Sequence, residues 1–364
     1  MDIFDLIHEA HHEQVIFCHD PDSGLDSIIA IHDTSLGPAL GGTRMWPYRT
    51  TEEALIDVLR LSEGMTYKAS VAGLALGGGK AVILGDPRID KTEALLRAHG
   101  RFVNTLGGRY ITAEDVGITV QDMEYVYQET EWVTGIKSKP LGSGDPSPVT
   151  AYGVYHGIRG SCNWKLGSSD LEGVRVAVQG LGAVGYHLCE YLADDGAILT
   201  VNDIDEKKVN RAVEDFGATA IASEEIYDVE CHVFAPCALG AVINDATIPR
   251  FRCLVIAGAA NNQLAEPRHG EELEEKGILY APDYVINAGG LINVYGEIAG
   301  YGLRRAKEKA AEIYDTLLSI YEIAEEEGIP TYKAADRLAQ QRLVAVREER
   351  RATISSVTSI PTAP

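Results

Sequence analysis

The sequence has little of what marks a secreted, membrane-bound or nucleic-acid-binding protein. Its N-terminus lacks the basic and apolar regions of a signal peptide, and no stretch approaches ~18 uninterrupted apolar residues. Positive charge is also scarce: the 364 residues carry a formal net charge of −22, which would repel phosphate backbones and anionic lipid surfaces. We therefore expect a cytoplasmic protein with neither nucleic acid nor a membrane as a partner.

Cysteine and histidine patterns that would hold a disulfide framework or a metal ion are lacking as well. The six cysteines are spread along the chain without a C-x-x-C pair, which is typical of reduced thiols in a cytosolic protein. His8, His11 and His12 could share one face of a short helix, but no further ligand lies nearby in the sequence. We interpret these histidines as a surface face, and the sequence predicts no metal site.

The pattern of strands and helices predicts an α/β protein of two domains. Residues 137–148 concentrate Gly, Ser and Pro, which is typical of a linker. Before the linker, a hairpin over residues 14–33, a helix capped at Thr50 and a strand at 80–84 predict a mixed α/β domain. Beyond it, alternating strands and helices predict a Rossmann-type, doubly wound parallel sheet. We predict domains at 1–140 with 331–364 and at 141–330, with a catalytic cleft between them.

A glycine motif marks the candidate nucleotide site. Gly180, Gly182 and Gly185 have G-x-G-x-x-G spacing between a predicted strand and a predicted helix, as the dinucleotide fingerprint requires. The next strand ends in Asp203, whose carboxylate could accept a hydrogen bond from an adenosine ribose hydroxyl. A 2′-phosphate would meet like charge from Asp203 and Asp205, so NAD is favoured over NADP. The alternative is a tight turn in which Asp203 only caps a helix.

Two lysines and a carboxylate in the first half of the chain form a candidate catalytic set. Lys80 follows three glycines, but a P-loop would need another glycine at position 74 and Ser or Thr after the lysine. Its apolar neighbours indicate that Lys80 is desolvated, which favours a neutral amine. With Lys68 near a helix end and Asp115 after a short strand, this set could hold an α-carboxylate and move protons at Cα while hydride leaves.

At these residues the sequence resembles the glutamate, leucine, phenylalanine and valine dehydrogenase superfamily, and the similarity covers nearly the whole chain. The motifs that carry the resemblance lie at residues 37–44, 65–68, 77–80, 113–115, 144–150, 180–185, 258–262 and 282–290. The resemblance implies an enzyme that oxidatively deaminates an L-amino acid with NAD, giving a 2-oxo acid, ammonium and NADH. It also implies a homo-oligomer, an octamer or a dimer, with a small-molecule substrate as its main partner.

The resemblance further implies a role for each matching residue. Lys68 would bind the substrate carboxylate with the backbone near Gly41 and Gly42, Lys80 would be the general base, and Asp115 would relay protons. The other expected substrate-binding residues are Met65 and Asn262, with a side-chain pocket of Leu40, Ala113, Leu291 and Val294. The expected cofactor-binding residues are Gly180, Gly182, Ala183, Val184, Gly185 and Asp203 at the fingerprint, and Thr150, Pro236, Cys237, Ala238 and Asn261 along the nicotinamide.

The predicted pocket favours apolar substrates. Glutamate-specific relatives carry a lysine where this chain has Leu40, so a charged substrate side chain would be left unpaired. We expect leucine, with valine and isoleucine also accepted. Because Leu291 is typical of phenylalanine enzymes while Ala113 is typical of leucine enzymes, phenylalanine or another bulky apolar amino acid stays open. A non-catalytic NAD-sensing protein is a remote alternative, which the presence of Lys68, Lys80 and Asp115 together disfavours.

Overall fold

The chain is divided into two compact units in the computed structural model, which describes residues 3–136, 138–139 and 144–358. Unit 1 comprises Met1–Gly144 with Ala339–Pro364, and unit 2 comprises Asp145–Leu338. Part of the expected linker, residues 137 and 140–143, lies outside the described residues. Among the residues that are described, none of the helices combines the length and apolar character needed to cross a membrane.

Unit 1 contains one five-stranded mixed sheet with the order β1-β2-β4-β3-β5. Its strands are β1 (Gln14–Asp20), β2 (Leu25–Asp33), β3 (Ala39–Trp46), β4 (Gly77–Leu84) and β5 (Tyr110–Ala113). Its helices are α1 (Ile3–Glu9), α2 (Thr51–Val71), α3 (Glu93–Thr105) and α4 (Val120–Tyr127). The β1–β2 and β2–β4 pairs are antiparallel, whereas β3 runs parallel to both β4 and β5. The predicted mixed α/β domain is therefore confirmed.

Local sequence explains most of these elements. The predicted hairpin forms from β1 and β2, with Asp20 opposite Leu25 and Gly24 in the left-handed region that tight turns require. Helix α2 begins where the Thr50 hydroxyl accepts a hydrogen bond from the Glu53 N–H at 3.1 Å. The Glu53 carboxylate reaches back one residue further than a standard capping box, because it accepts the Arg49 N–H at 2.9 Å.

The interpretation of the N-terminal histidines as a surface face is wrong for His12. This residue lies just beyond α1, and only 8% of its surface is exposed. Its Nε2 lies 2.7 Å from the Ser62 hydroxyl of α2, and its ring makes an edge contact with buried His32. Burial lowers the pKa of both His12 and His32 to about 4, so both rings are neutral near pH 7.

Unit 2 contains a six-stranded parallel sheet with the order β11-β10-β9-β6-β7-β8. Its strands are β6 (Arg175–Gln179), β7 (Ile198–Asn202), β8 (Thr219–Ala220), β9 (Val233–Pro236), β10 (Val255–Ile256) and β11 (Leu279–Tyr280). Its helices are α5 (Ser147–Leu166), α6 (Ala183–Asp194), α7 (Glu206–Phe216), α8 (Arg268–Glu275), α9 (Asp283–Ile286), α10 (Gly289–Ala299), α11 (Leu303–Ala311) and α12 (Ile313–Glu327). This is the predicted doubly wound Rossmann-type sheet.

The strand order places the candidate nucleotide site. Strands that follow β6 in the chain extend the sheet first on one side, through β7 and β8, and then on the other, through β9 to β11. Ligands of open parallel sheets bind where the strand order reverses, outside the carboxyl ends of the strands. In unit 2 that point lies between Gln179, which ends β6, and Pro236, which ends β9.

The C-terminal part of the chain consists of several separate helices. The stretch 291–327 lies on three helices. Helix α10 ends where Gly300 adopts a left-handed conformation, and Glu312 separates α11 from α12. The final helix is α13 (Thr331–Thr358). Its residues after Leu338 belong to unit 1, where the Ser70 hydroxyl donates a hydrogen bond to the Ala339 carbonyl at 2.9 Å.

Candidate active site

A buried ion pair joins the two side chains that the sequence nominates for catalysis. The Nζ atom of Lys80 lies 2.6 Å from Oδ2 of Asp115. The Lys80 side chain is 8% exposed and that of Asp115 is 21% exposed. Lys80 comes from the middle of β4, and Asp115 follows the end of β5 by two residues. A charged pair with so little exposure is held by the fold and only weakly screened by solvent.

Close backbone approach of β3 to its neighbours brings these side chains together. Strand β3 lies between β4 and β5, so its two glycines sit between the segments that carry Lys80 and Asp115. A Cβ atom at Gly41 would lie 1.7 Å from the Gly79 carbonyl oxygen, and one at Gly42 would lie 2.9 Å from the Asp115 Cβ. Larger residues at either position would push these segments apart, which explains why the sequence has Gly-Gly here.

Helix α2 brings the second lysine to the same region of unit 1. A Cβ atom at Gly78 would lie 2.2 Å from the backbone nitrogen of Thr66, so the helix packs directly on β4. Met65 lies against Gly41, since its Cγ would be 3.3 Å from a Cβ built there. Lys68 is in the last turn of this helix, two residues after the contact with β4, and is partly buried.

Opposing effects set the protonation of the ion pair. Burial lowers the pKa of the Lys80 ammonium below its usual value, and the Asp115 carboxylate restores part of the loss. Burial alone would raise the pKa of Asp115, but the charges of Lys80 and Arg44 outweigh it and hold the pKa below its usual value. Asp115 is therefore an ionised acceptor, and Lys80 loses its proton more readily than a lysine in water.

The structure adds a charged network that sequence reasoning did not assign. Arg44, at the end of the β3 glycine motif, places its Nε 3.3 Å from Oδ2 of Asp115 and its Nη1 2.9 Å from Oδ2 of Asp57. Asp57 also accepts the Tyr48 hydroxyl at 2.6 Å and Nη2 of Arg60 at 3.0 Å. Arg44 belongs to a motif that the resemblance rests on, so its position was visible in the sequence although its partners were not.

A second set of buried polar groups stabilises the part of β3 that contains Gly41 and Gly42. The Tyr110 hydroxyl donates to the Gly41 carbonyl at 2.7 Å, and the Tyr110 ring would lie 2.7 Å from a Cβ at Gly79. Beside it, the Thr43 hydroxyl lies 2.7 Å from the Thr112 hydroxyl and 2.9 Å from Nε2 of His99. These contacts hold β3 against β4 and β5, the strands that carry or precede the two members of the ion pair.

In unit 2, the fingerprint glycines form the turn that a dinucleotide needs. Gly180 has a φ of +94°, which L-residues rarely adopt, and a Cβ there would lie 2.6 Å from that of Ala238. A Cβ at Gly185 would lie 2.0 Å from the Gly180 carbonyl oxygen, so α6 packs closely on the turn. A Cβ at Gly182 would meet none of the described atoms within 4 Å. Open space thus lies at the N-terminus of α6, next to Ala183 and Val184.

Asp203, which directly follows β7, uses its carboxylate to stabilise the glycine turn. One carboxylate oxygen accepts the Leu181 N–H at 2.7 Å, and the other accepts the Asp205 N–H at 2.9 Å. Each carboxylate oxygen has a second lone pair, so these bonds leave acceptor capacity for a ribose hydroxyl. Asp203 therefore organises the backbone of the turn but does not cap a helix, as the alternative interpretation expected, because the N-cap of α7 is Asp205.

Among the residues expected along the nicotinamide, Pro236 ends β9, Cys237 and Ala238 follow it, and Asn261 lies in the loop after β10. The Cys237 N–H donates to the Gln179 carbonyl at 2.7 Å, which ties the segment after β9 to the end of β6. Burial raises the pKa of Cys237 to about 12, so its thiol is unreactive near neutral pH. Asn261 accepts a hydrogen bond at 2.7 Å from buried Asn287, a residue to which the sequence analysis gave no role.

The remaining predicted residues of unit 2 lie on α5, on α10 and in the loop after β10. Thr150 of α5 packs against the start of α10, since its Cα would be 2.8 Å from a Cβ at Gly289. Leu291 and Val294 follow on α10, and Leu291 is buried. Asn262 has a φ of +51° and donates its N–H to the Asp283 carboxylate. In unit 1, Leu40 is buried in β3 and Ala113 pairs with Gly42.

One group of potential metal ligands occurs among the described residues. It consists of Asp245, His269 and Glu272 in unit 2. Arg268 already donates to both carboxylates, at 2.7 Å to Asp245 and 2.6 Å to Glu272. Nδ1 of His269 accepts the Glu266 N–H at 3.0 Å, so its Nε2 carries the proton. A cation here would have to displace an arginine and a proton, which disfavours a metal site.

Comparison with known proteins identifies the family. The model described as "Glu/Leu/Phe/Val dehydrogenase, dimerisation domain" matches residues 12–132, and that described as "Glutamate/Leucine/Phenylalanine/Valine dehydrogenase" matches residues 142–351. Together these two matches include most of the chain.

Individual relatives are similar over almost their whole length. The leucine dehydrogenase of Geobacillus stearothermophilus is 58% identical over 350 residues, covering 96% of this chain and 95% of the relative. The valine dehydrogenase of Streptomyces virginiae is 51% identical over 92% of this chain and 95% of the relative. The crystal structure of L-tryptophan dehydrogenase from Nostoc punctiforme superposes with a TM-score of 0.88 at 49% identity, covering 95% of this chain and 99% of that one. The predicted family and enzyme class are confirmed: the chain belongs to the glutamate/leucine/phenylalanine/valine dehydrogenase family.

Proposed function

We propose that the protein catalyses the NAD-dependent, reversible oxidative deamination of a branched-chain L-amino acid, with leucine as the main substrate and valine and isoleucine also accepted. The observation that carries the proposal is the buried pair of Lys80 and Asp115, held 2.6 Å apart beside Gly41 and Gly42. Similarity to leucine and valine dehydrogenases supports the choice of substrate class.

The proposed chemistry assigns one task to each charged group of unit 1. Lys68 and the backbone near Gly41 hold the substrate α-carboxylate. Asp115, kept ionised by its cationic neighbours, accepts a proton from the substrate amine. After hydride has left Cα, the neutral amine of Lys80 takes a proton from the water that attacks the imino carbon. Asp115 then returns a proton to the nitrogen of the carbinolamine. As the C–N bond breaks, the carbinolamine hydroxyl loses its proton to the departing ammonia, which gives ammonium and the 2-oxo acid.

The residues of the unit 2 turn fit a dinucleotide. The open space beside Gly182 lies at the N-terminus of α6, where unpaired backbone N–H groups favour a pyrophosphate. NAD would supply the acceptor for the hydride that leaves Cα. A 2′-phosphate bound beside Asp203, which follows β7, would meet like charge from Asp203 and Asp205, so we propose NAD as the cofactor. Thr150, Pro236, Cys237, Ala238 and Asn261 are the residues that we propose to line its nicotinamide end.

The proposed side-chain pocket separates apolar from charged substrates more sharply than it separates apolar substrates from one another. Leu40, Ala113, Leu291 and Val294 offer no charge to a distal carboxylate, so glutamate is disfavoured. One methylene changes binding in such a pocket by only about 1–3 kcal/mol. A bulky apolar substrate such as phenylalanine is the second candidate, and the similarity to an L-tryptophan dehydrogenase favours keeping it.

A matched pair of lysine variants tests the proposed role of Lys80. Lys91 also forms a 2.7 Å ion pair with a carboxylate, that of Asp122, and its side chain is 20% exposed. We expect Lys80→Met to lose almost all NADH formation from leucine while binding NADH normally, and Lys91→Met to keep both. Turnover in Lys80→Met equal to that of Lys91→Met would overturn the proposed role.

We also propose a cytoplasmic homo-oligomer, an octamer or a dimer. The family model that matches residues 12–132 is described as a dimerisation domain, which supports assembly through unit 1. Light scattering coupled to size-exclusion chromatography tests this proposal directly. A mass equal to that of a single 39.4 kDa chain at enzyme assay concentrations would contradict it.

A further inference from the structure

Arg44 is placed where it can act on the catalytic pair without lying between its two members. Its guanidinium bridges the carboxylates of Asp115 and Asp57, and its side chain is 21% exposed. The Lys80 ammonium and the Arg44 Nε both contact the same oxygen of Asp115, Oδ2. Two cations thus share one acceptor atom.

We propose that Arg44 is a positioning residue for the reaction: it fixes the Asp115 carboxylate against Lys80 and keeps a second positive charge beside the Lys80 amine. This inference rests on the proposed roles of Lys80 and Asp115. It adds a residue that the sequence analysis did not assign to the site.

The surroundings of Arg44 hold its side chain in one geometry. Asp57 lies on α2 and accepts hydrogen bonds from Arg44, from the Tyr48 hydroxyl and from Arg60. Because Asp57 is anchored by these other donors, it fixes the far side of the guanidinium. The planar guanidinium donates from Nη1 to Asp57 and from Nε to Asp115, so it can hold the Asp115 carboxylate at a defined angle. A flexible lysine ammonium would do this poorly.

The second effect of Arg44 is electrostatic. A positive charge near an amine disfavours the ammonium form, and Arg44 lowers the pKa of Lys80 in addition to the larger effect of burial. The same charge favours the carboxylate of Asp115. The charged groups that act on Lys80 come from three elements: Arg44 from β3, Asp57 from α2, and Asp115 from the segment after β5. Asp115 and Asp57 favour the ammonium, so Arg44 is the cation that opposes them.

The pH dependence of kcat/KM for leucine oxidation tests this inference. Lys80 must be neutral to act as a base, so its deprotonation contributes to the acid limb of the profile. We expect the limb of Arg44→Met to move to higher pH by about 1 unit, with at least a ~10-fold loss of kcat near neutrality. Arg44→Lys, which keeps the charge, should lie closer to the wild type. The substrate amine titrates alike in every variant, so differences between variants report on the enzyme.

Arg97→Met is the matched control, because this arginine of α3 forms its ion pairs with Glu93 and Glu129, whereas the described cations that pair with Asp115 are Lys80 and Arg44. The acid limb of its kcat/KM profile should coincide with that of the wild type. Thermal unfolding and NADH binding establish that each variant is folded, and Arg44→Gln replaces Arg44→Met if the latter does not fold. The inference would be overturned if the acid limb of the kcat/KM profile did not move in the neutral Arg44 variant. It would also be overturned if this limb moved equally in Arg44→Lys and Arg44→Met.

The lysine experiment separates this inference from the function on which it rests. If Lys80→Met keeps its turnover, the proposed catalytic roles fail, and the role of Arg44 fails with them. If Lys80→Met is inactive while the neutral Arg44 variant keeps the wild-type acid limb, only the positioning role is wrong.

Discussion

Replacing single fingerprint glycines by alanine should separate nucleotide binding from folding. At Gly182 the added Cβ meets none of the described atoms within 4 Å, and the backbone has φ −66° and ψ −172°, which alanine adopts freely. At Gly185 the added Cβ would lie 2.0 Å from the Gly180 carbonyl oxygen. The methyl group added at position 182 therefore projects into the space proposed for the pyrophosphate, whereas the one added at position 185 collides with the protein itself.

The two substitutions should therefore differ in their effects on thermal stability and on NAD binding. Gly182 is the N-cap of α6, where alanine is less favourable than glycine by under about 1 kcal/mol, so Gly182→Ala should melt within about 4 °C of the wild type. Losing one charge-assisted hydrogen bond to a phosphate costs about 1.5–3 kcal/mol, which weakens NAD binding by about 10- to 100-fold. Gly185→Ala overpacks the turn and should lose about 1–3 kcal/mol of stability or more.

Thermal melts followed by circular dichroism and NADH titrations followed by fluorescence measure the two effects. Gly64→Ala is the matched control, because a Cβ there also meets no described atom within 4 Å but lies on α2 of unit 1. We expect Gly64→Ala to bind NADH like the wild type. If Gly182→Ala binds NADH as tightly as Gly64→Ala does, the turn does not hold the pyrophosphate as proposed.

Three further predictions concern unit 1. Lys68→Ala should raise the KM for leucine steeply while the Kd for NADH stays unchanged; equal effects on both would contradict its role in binding the carboxylate. Tyr110→Phe removes the buried hydroxyl that bonds Gly41, and we expect a loss of about 1–3 kcal/mol in urea unfolding; an unchanged unfolding midpoint would show that this bond does not support β3. Burial lowers the pKa of His99 to about 4, so the unfolded chain takes up a proton below pH 6.5 before the folded chain does. The stability that His99 contributes is thus complete above pH 6.5 and falls by about 3 kcal/mol as the pH drops to 4. Urea unfolding at several pH values should show a shallower pH dependence in His99→Gln, and an identical dependence would refute the assignment.

Features set by local sequence were predictable. The hairpin of β1 and β2 follows from a turn between two alternating runs, and the fingerprint follows from glycines at fixed spacing after a strand. The family could be recognised because its motifs recur along nearly the whole chain. The burial of Lys80 also followed from its apolar neighbours.

Features that depend on tertiary neighbours were not predictable. Strand β3 was missed because Pro38 and two glycines are unfavourable in an isolated strand, whereas close packing between β4 and β5 requires those glycines. The burial of His12 depends on Ser62, which is 50 residues away in the chain. The partners of Arg44 likewise come from α2 and from the segment after β5, which only the folded sheet brings together.

The proposed activity is tested most directly by kcat/KM values for leucine, valine, isoleucine, phenylalanine and glutamate, each measured with NAD and with NADP. We predict NADH formation with the three branched-chain substrates, highest for leucine, with glutamate and NADP at least ~100-fold poorer because each would place an unpaired charge beside apolar or acidic groups. A preference for glutamate, or no reduction of NAD with any of these amino acids, would contradict the proposal.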